Sequence, residues 1–470
     1  MKYRWIVILA AALVITGCAV GPNYQRPAIQ VPESFRAPAP LPASEGASLA
    51  DEKWWEVFHD EQLQQLVRTA LQQNYDLRVA VSRVDAARAS LGSTRSNQFP
   101  QIGASGDIEF TRVSRDGSFR LPASLTPSQN RNWGEAALDL LSFEVDLWGR
   151  LRRATEAARA NLLGAEENRK AVVTLLISDV ATAYFNLRAL DHQLEISERT
   201  FETRRDSLRL VQSRQGGGVA TLLDLRQAEQ LVDTAAATIP VLQQQIEQTE
   251  NQISLLIGAN PQGVTRGRGF EEQELPPEVP AGLTSALLER RPDIRAAEQN
   301  LIAANAQIGV AKAAYFPRLS LTGLLGGQSS QLSSLFSGPN RAWTFVPEFS
   351  QPIFTAGRLK SGVKFSEAFR DGARAEYQKT IQTAFTEVSD ALIAHQRTRE
   401  TRVQQEALVA ALQDRTRLAY IRYRGGVDTQ LNALDADRDL FQAQLTLSQV
   451  KLSELVSVVQ LYKALGGGWQ

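Results

Sequence analysis

The chain reads as mostly α-helical, built from one unit used twice, with membrane-type β-strands set between the helices of each copy. Three observations predict this. They are a long-range duplication, a 4-3 apolar seam inside one unbroken stretch, and four alternating-polarity stretches bounded by turn residues.

The duplication is the firmest of the three. "RQGGGVATLLDLRQA" (214–228) recurs near the end of the chain around "YRGGVDTQLNALDA" (423–436), at an offset of 208 residues. Gly218 falls on Gly426, Val219 on Val427, Leu223 on Leu431 and Ala228 on Ala436. The same offset carries Gly149-Arg150 onto Gly357-Arg358, Ala183 onto Ala391 and Gly258 onto Gly466. Upstream the offset becomes 217, carrying Asp76-Leu77-Arg78 onto Asp293-Ile294-Arg295, Gly92 onto Gly309 and Phe99-Pro100 onto Phe316-Pro317. The only length change lies between the Phe-Pro and Gly-Arg pairs, so each copy is a unit of roughly 200 residues.

At the N-terminus, Lys2 and Arg4 precede an apolar run from Trp5 to Ile15. That is too short to span a membrane as a mature helix but suits a signal peptide over 1–17. "ITGC" follows, and Cys18 is the only cysteine. A small-residue site ending in Cys resembles the bacterial lipoprotein signal, which implies a lipidated, palmitate-bearing Cys18 as the new N-terminus; the alternative is a buried free thiol. Ala19 follows where an Asp would signal inner-membrane retention, so the same resemblance implies the outer membrane. One cysteine excludes a disulfide and a thiolate metal site. Residues 18–50 are rich in Pro, Ala and Ser and read as an extended tether.

The remaining elements follow in order. Residues 51–73 predict an amphipathic helix whose Trp54 and Trp55 pack on the body. From Leu176 to Val211, eleven positions alternate 4-3, and all but Ser197 and Arg204 are apolar, which is coiled-coil spacing. The helix starts after Gly149 and runs to about Arg214, roughly 65 residues or 100 Å. A returning helix, Val219 to Ile257, is near 60 Å and should bend at Pro240. The segment Asn74 to Asn97 adds about 36 Å, so two short helices stacked end to end match the long one. Copy two repeats this with Pro292–Ala314, Val427–Leu465 and Gly357–Arg422. The expectation is a rod of two repeats, 74–257 and 291–466. Residues 258–290 form a girdle across the short-helix junctions, and a short tail closes the chain at 467–470.

Strands are expected within 102–148 and 318–354, where polarity alternates between Gly, Pro, Ser and Asn turns. Trp133, Phe143, Trp148, Phe336, Trp343 and Phe345 gather there, as an interfacial aromatic belt requires. Four strands cannot close a barrel, and an open edge is forbidden in lipid. Membrane insertion of these strands therefore implies an oligomer; a small soluble cap is the alternative.

The duplicated layout, the "FP" before each strand pair, the "GR" before each long helix and the glycine tips carry a resemblance. The chain resembles the TolC-like outer membrane factor family, in the lipoprotein (NodT/OprM-like) branch of multidrug efflux outer membrane proteins. That resemblance implies a homotrimer with a twelve-stranded β-barrel and a long coiled-coil α-barrel. It also implies docking on a periplasmic adaptor (membrane fusion) protein and an inner-membrane pump of RND type. It assigns Gly217, Gly218, Val219, Gly425, Gly426 and Val427 to adaptor docking at the hairpin tips. Tips of this kind need glycine in any case, because the reversal requires positive φ. Asp224, Tyr423, Asp428 and Asp435 become the periplasmic gate and acidic ring, since threefold symmetry turns each carboxylate into a ring that favours cations. Two departures bear on the gate. Asn432 stands where the family carries a second ring aspartate, and Asp428 where it carries a gate arginine, for which Arg422 or Arg424 could substitute.

Lys+Arg and Asp+Glu balance at 51 each, so no net field calls for nucleic acid. Aromatics at 7% and a mean hydropathy of −0.23 resemble a soluble protein, although transmembrane strands give only a weak hydropathy signal. The histidines His59, His192 and His395 lack metal-ligand spacing, and neither a phosphate loop nor a Gly-x-Ser-x-Gly elbow occurs. No enzyme, cofactor or metal is expected. The single methionine is the initiator, which excludes a methionine path for copper. The readings that remain are a passive, gated exit duct for small molecules or for type I protein secretion, and a non-conducting lipoprotein scaffold. The tip is expected closed at rest, held by polar links.

Overall fold

The computed structural model describes residues 19–38, 48–51, 53, 57, 59–112, 114, 130–273 and 284–468. Seven long elements carry the helical part: α1 (Glu61–Gln73), α2 (Tyr75–Ser96), α3 (Arg150–Gly216), α4 (Leu222–Leu256), α5 (Pro292–Ala313), α6 (Arg358–Arg424) and α7 (Gln430–Ala464). Strands β1 (Ile102–Arg112), β2 (Asn130–Val145), β3 (Arg318–Ser329) and β4 (Arg341–Ser350) complete the chain. The duplication is intact: α3 and α6 each have 67 residues, and α4 and α7 each have 35.

Three expectations shift. The helix expected over 51–73 is interrupted: a 3-10 turn, Leu49–Asp51, and a helical Val57, whose N–H reaches the Lys53 carbonyl at 3.2 Å, precede residues 59–60. Asp60 then caps a helix that begins at Glu61. Trp54, Trp55 and Cys18 lie outside the described residues. The return helices begin three residues later than expected, since Val219–Thr221 and Val427–Thr429 belong to the reversals. Helix α4 runs uninterrupted through Pro240.

The chain divides into two compact units. The first holds the described residues up to Ala28 with Val84–Ala165 and Ala297–Tyr377. Its four-stranded antiparallel sheet has the order β1-β2-β3-β4, broken in register only between Leu140 and Phe143. The registers place Ile102, Phe110, Leu138, Leu325, Trp343 and Phe349 on one face, and all six are exposed. The opposite face carries Asp107, Glu109, Glu135, Asp139, Gln328 and Glu348. Such a sheet is inside-out for a water-soluble protein. Below it, α3 and α5 approach through Ala157, Ala160, Ala303 and Ala306, small residues that let two backbones close up.

The N-terminal segment 19–26 is strapped over this helix pair. Val20 donates its N–H to the Trp148 carbonyl (2.9 Å), and the buried Arg153 donates to Asn23 Oδ1 at 2.7 Å. Asn305 donates to the Pro22 carbonyl at 2.9 Å, and Tyr24 and Arg26 hold Glu298 at 3.0 and 2.6 Å. Gly21 lies so close that a Cβ there would stand 2.5 Å from the Gly309 Cα, which accounts for glycine at both positions. Of the aromatic belt, Trp148 instead packs inward on Phe316 (centroids 4.7 Å) and donates to the Pro317 carbonyl.

The second unit holds Ile29–Arg83, Glu166–Ala296 and Gln378–Gln470. Here the return helices meet the short helices end to end. Asn74 caps α2 through the Leu77 N–H and donates to the Leu256 carbonyl at the end of α4 (2.9 Å each). In copy two, Arg291 donates to the Ala464 carbonyl at 3.0 Å. Asp60 organises the surrounding loops, accepting from Gln62 N, Leu63 N, Tyr184 OH, Arg268 N and Gln273 Nε2. Burial pushes its carboxyl up, but these donors together hold it below the ordinary carboxylate range.

Candidate functional site: the two hairpin tips

Both long helices end in the same way. At the first tip Val219 N–H reaches the Arg214 carbonyl (2.9 Å) and Gly218 N–H the Gln215 carbonyl (2.9 Å). At the second, Val427 reaches Arg422 and Gly426 reaches Tyr423, both at 3.1 Å. This is the Schellman pattern, and it needs a left-handed residue, supplied by Gly218 (φ +75°) and Gly426 (φ +72°). The valine that follows usually packs back on its helix; here Val219 is 80% and Val427 66% exposed. Leu222, Leu223 and Leu431 are exposed beside them. Each tip therefore presents apolar side chains that none of the described residues covers.

The predicted gate residues are not brought into one cluster within the chain. Asp224 closes a capping box: it accepts from the Thr221 N–H and hydroxyl (2.8 Å each), while Thr221 Oγ1 accepts the Asp224 N–H. Asp428 accepts from Asn432 Nδ2 (2.7 Å), Arg422 Nε (3.0 Å) and Thr429 N (2.8 Å). The amide of Asn432, then Arg422, then the Thr429 N–H hold its carboxyl below the usual range. Asp435 pairs with Arg438 one turn on, at 3.0 Å. Tyr423 lies under the Arg214 guanidinium (4.9 Å to the ring) and donates to Gln430 Oε1 (3.4 Å). Gln430 in turn donates to the Asp224 carbonyl at 3.2 Å, so Tyr423 and Asp224 are linked through Gln430.

Sequence reasoning missed a buried link in this unit. Arg204, 3% exposed, donates to Asp437 Oδ2 at 2.6 Å and to the Leu231 carbonyl at 3.0 Å, and its guanidinium lies over Phe441. It ties α3 to α4 and to α7. Its Nη2 finds no acceptor among the described residues. Burial and the nearby Asp437 also push the Tyr420 hydroxyl above its ordinary value. The signal was present: Arg204 is the one charged residue on the coiled-coil seam, and a charge there demands a buried partner.

A sheet with an exposed apolar face and a polar face, joined to long duplicated helix hairpins, defines a membrane-barrel protein with a coiled-coil extension. The chain matches the outer membrane efflux protein family model over residues 66–259 and 283–467, and it belongs to that family. It is 40% identical to the probable efflux pump outer membrane protein TtgC of Pseudomonas putida, over 100% of this chain and 96% of that one. It is 36% identical to the cation efflux system protein CusC of Escherichia coli, covering 98% of this chain and 97% of that one. Among solved structures, the open state of the MtrE outer membrane channel of Neisseria gonorrhoeae superposes with a TM-score of 0.86. That match has 31% identity over 96% of this chain and 99% of that one.

Proposed function

We propose that this chain is the outer-membrane exit duct of a tripartite efflux pump, passing small molecules such as drugs from periplasm to exterior. The observation that carries the reading is the sheet. Its apolar side chains point away from the protein on one face, its carboxylates and amides line the other, and both edges are open. Lipid suits the first face and a water-filled lumen the second, and the edges require further copies. Three copies give twelve strands. Cys18, lipidated and carrying palmitate, anchors the chain to the same membrane. The uncovered valines at the tips seat the helical hairpin of a periplasmic adaptor, behind which stands an inner-membrane pump of RND type. Asp224, Tyr423, Asp428 and Asp435 keep the entrance shut at rest and select for cations when it opens. The duct performs no chemistry; choice of substrate belongs to the pump.

The test is ethidium efflux in cells stripped of their own exit channels and supplied with an adaptor and pump of this type. The wild-type chain should restore efflux, and Val219→Asp/Val427→Asp should abolish it while the protein still reaches the outer membrane. A membrane-inserted wild type that restores nothing supports the scaffold reading instead.

A further inference from the structure

The duplication does more than repeat a unit; it contains the blueprint of the contact between chains. Copy one meets copy two within the chain along β2·β3 and along α3·α5. By the same repetition, copy two ends in the open edge of β4 with α6, and copy one begins with the open edge of β1 and α2. The internal contact is therefore a template for the external one.

The ladders fix the correspondence. β1 pairs Ile102 with Leu140, and β3 pairs Leu319 with Phe349. Residues of β1 thus map onto β3 by adding 217, and residues of β2 map onto β4 by adding 209. Below the irregularity at Leu140/Phe143, where β2 holds one extra residue, the second offset becomes 208, the same that carries Gly149 onto Gly357. Transferring the β2·β3 register gives one unbroken rule. Above the irregularity, Ala136↔Gly327 becomes Phe345↔Phe110 and Leu138↔Leu325 becomes Pro347↔Ile108. Below it, Val145↔Leu319 becomes Ile353↔Ile102. Every transferred pair adds to 455, on both sides of the irregularity.

We infer that β4 of one copy pairs antiparallel with β1 of the next in the register where residue n faces residue 455 − n. Side-chain polarity, which played no part in the transfer, agrees with it in the pairs that follow, while on the polar face the register also sets Glu348 against Asp107 and Val346 against Glu109. Ile353, 95% exposed in the single chain, meets Ile102 at 74%, and Phe345 meets Phe110 on the same lipid-facing side. Ser350 meets Ser105 and Thr344 meets Thr111 on the polar side. A slip by one residue would set the apolar row of one strand against the polar row of the other. The template also explains why 351–353 form no strand in the single chain. Their counterparts Phe143–Val145 pair only with β3, so 351–353 have a partner only when β1 of the neighbouring copy arrives.

The helices extend the seam. The Ala157/Ala160 contact with Ala303/Ala306 transfers to Phe365/Ala368 against Ala86/Ala89 of the next copy. Gly309 lies under the N-terminal strap, whereas its counterpart Gly92 has open space over its Cα. The strap exists once per chain, so the seam groove lacks it. The exposed stacked pair Phe365 and Phe369, in place of Ala157 and Asn161, supplies the missing bulk.

The test is disulfide trapping in the full, lipidated chain, with Cys18 retained in every variant. Ile102→Cys/Ile353→Cys is compared with the pair shifted by two, Ala104→Cys/Ile353→Cys, on non-reducing denaturing gels after mild oxidation. The two edges lie at opposite ends of one sheet, so any new bond joins chains. The in-register pair should give covalent trimer at least about tenfold faster, because a Cα separation beyond about 7 Å cannot be bridged. Equal or faster trapping of the shifted pair overturns the register. Amide exchange on the unmodified protein provides a second test, free of folding defects. The amides of Gln351, Ile353 and β1 should exchange as slowly as those of β2 and β3 (Pro352 has none), and open-loop exchange there overturns the seam. The inference rests on the duct reading only for the number of copies: a cross-linked ring that conducts nothing would defeat that reading and leave the seam standing.

Discussion

At the first tip Arg214 lies over the ring of Tyr423; at the second its counterpart Arg422 holds the carboxylate of Asp428. The backbones are the same, down to the Schellman bonds and a left-handed glycine. The difference traces to two positions. Ala220 stands where the second copy has Asp428, leaving Arg214 no acid in the turn. Asp224 stands where the second copy has Asn432, so the first tip spends its carboxylate on its own cap while the second keeps its acid outside the helix. Duplication thus preserved the geometry that makes a reversal and let the charges diverge.

The largest expected effect separates the copies most sharply. Arg204→Met leaves Asp437 buried without its partner and should cost about 3–5 kcal/mol. The corresponding place in copy two is already apolar, Leu412. Leu412→Met nearly conserves volume and should cost no more than about 1.5 kcal/mol. Amide exchange along α3, α6 and α7 measures both, and the Arg204→Met/Asp437→Leu pair should recover most of the loss. If Arg204→Met alone is silent, the link does not join these hairpins.

Next comes what the tips share. Gly218→Ala and Gly426→Ala should each destabilise their hairpin by roughly 1–2 kcal/mol, since a left-handed residue is required at both. Unequal losses would mean that the backbones are not equivalent in the assembled protein. Both helices keep their threonine caps in the next two variants. Asp224→Ala removes the acceptor of the Thr221 N–H and hydroxyl and should cost about 1 kcal/mol, whereas Asn432→Ala removes only a donor to Asp428 and should cost less. Protection of the first amides of α4 and α7 reports each.

The smallest effect is electrostatic. Because the Asp428 carboxyl titrates below its unfolded value, its links to Asn432 and Arg422 are fully present above about pH 3.9 and are lost as pH falls through the folded value. Carbon-13 NMR of labelled aspartate should show Asp428 titrating below the ordinary range, and Arg422→Gln should move it back up. No movement would remove Arg422 from the second tip's account.

Much of this was legible in the sequence because it is local or periodic. The long helices, their glycine ends and the strand stretches follow from spacing and turn chemistry, and their boundaries shifted by only a few residues. The cap that starts the first helix at Glu61 is itself local, Asp60 Oδ1 accepting from the Gln62 and Leu63 N–H groups, whereas only the fold shows its Oδ2 taken by Tyr184, Arg268 and Gln273, all distant in sequence. The strap of residues 19–26 was read as a featureless tether, since its hold on Arg153, Asn305 and Glu298 is visible only once α3 and α5 are side by side. Asp224 and Tyr423 were singled out together, yet only the fold shows Gln430 standing between them.

A duct of this kind requires a gated conducting path. Single-channel conductance of the purified protein in a planar bilayer, beside an Asp224→Ala/Tyr423→Phe variant, tests it most directly. The expected result is a small, cation-preferring conductance for the wild type and a conductance several-fold larger for the variant. An intact, membrane-inserted oligomer that passes no current in either form would contradict it.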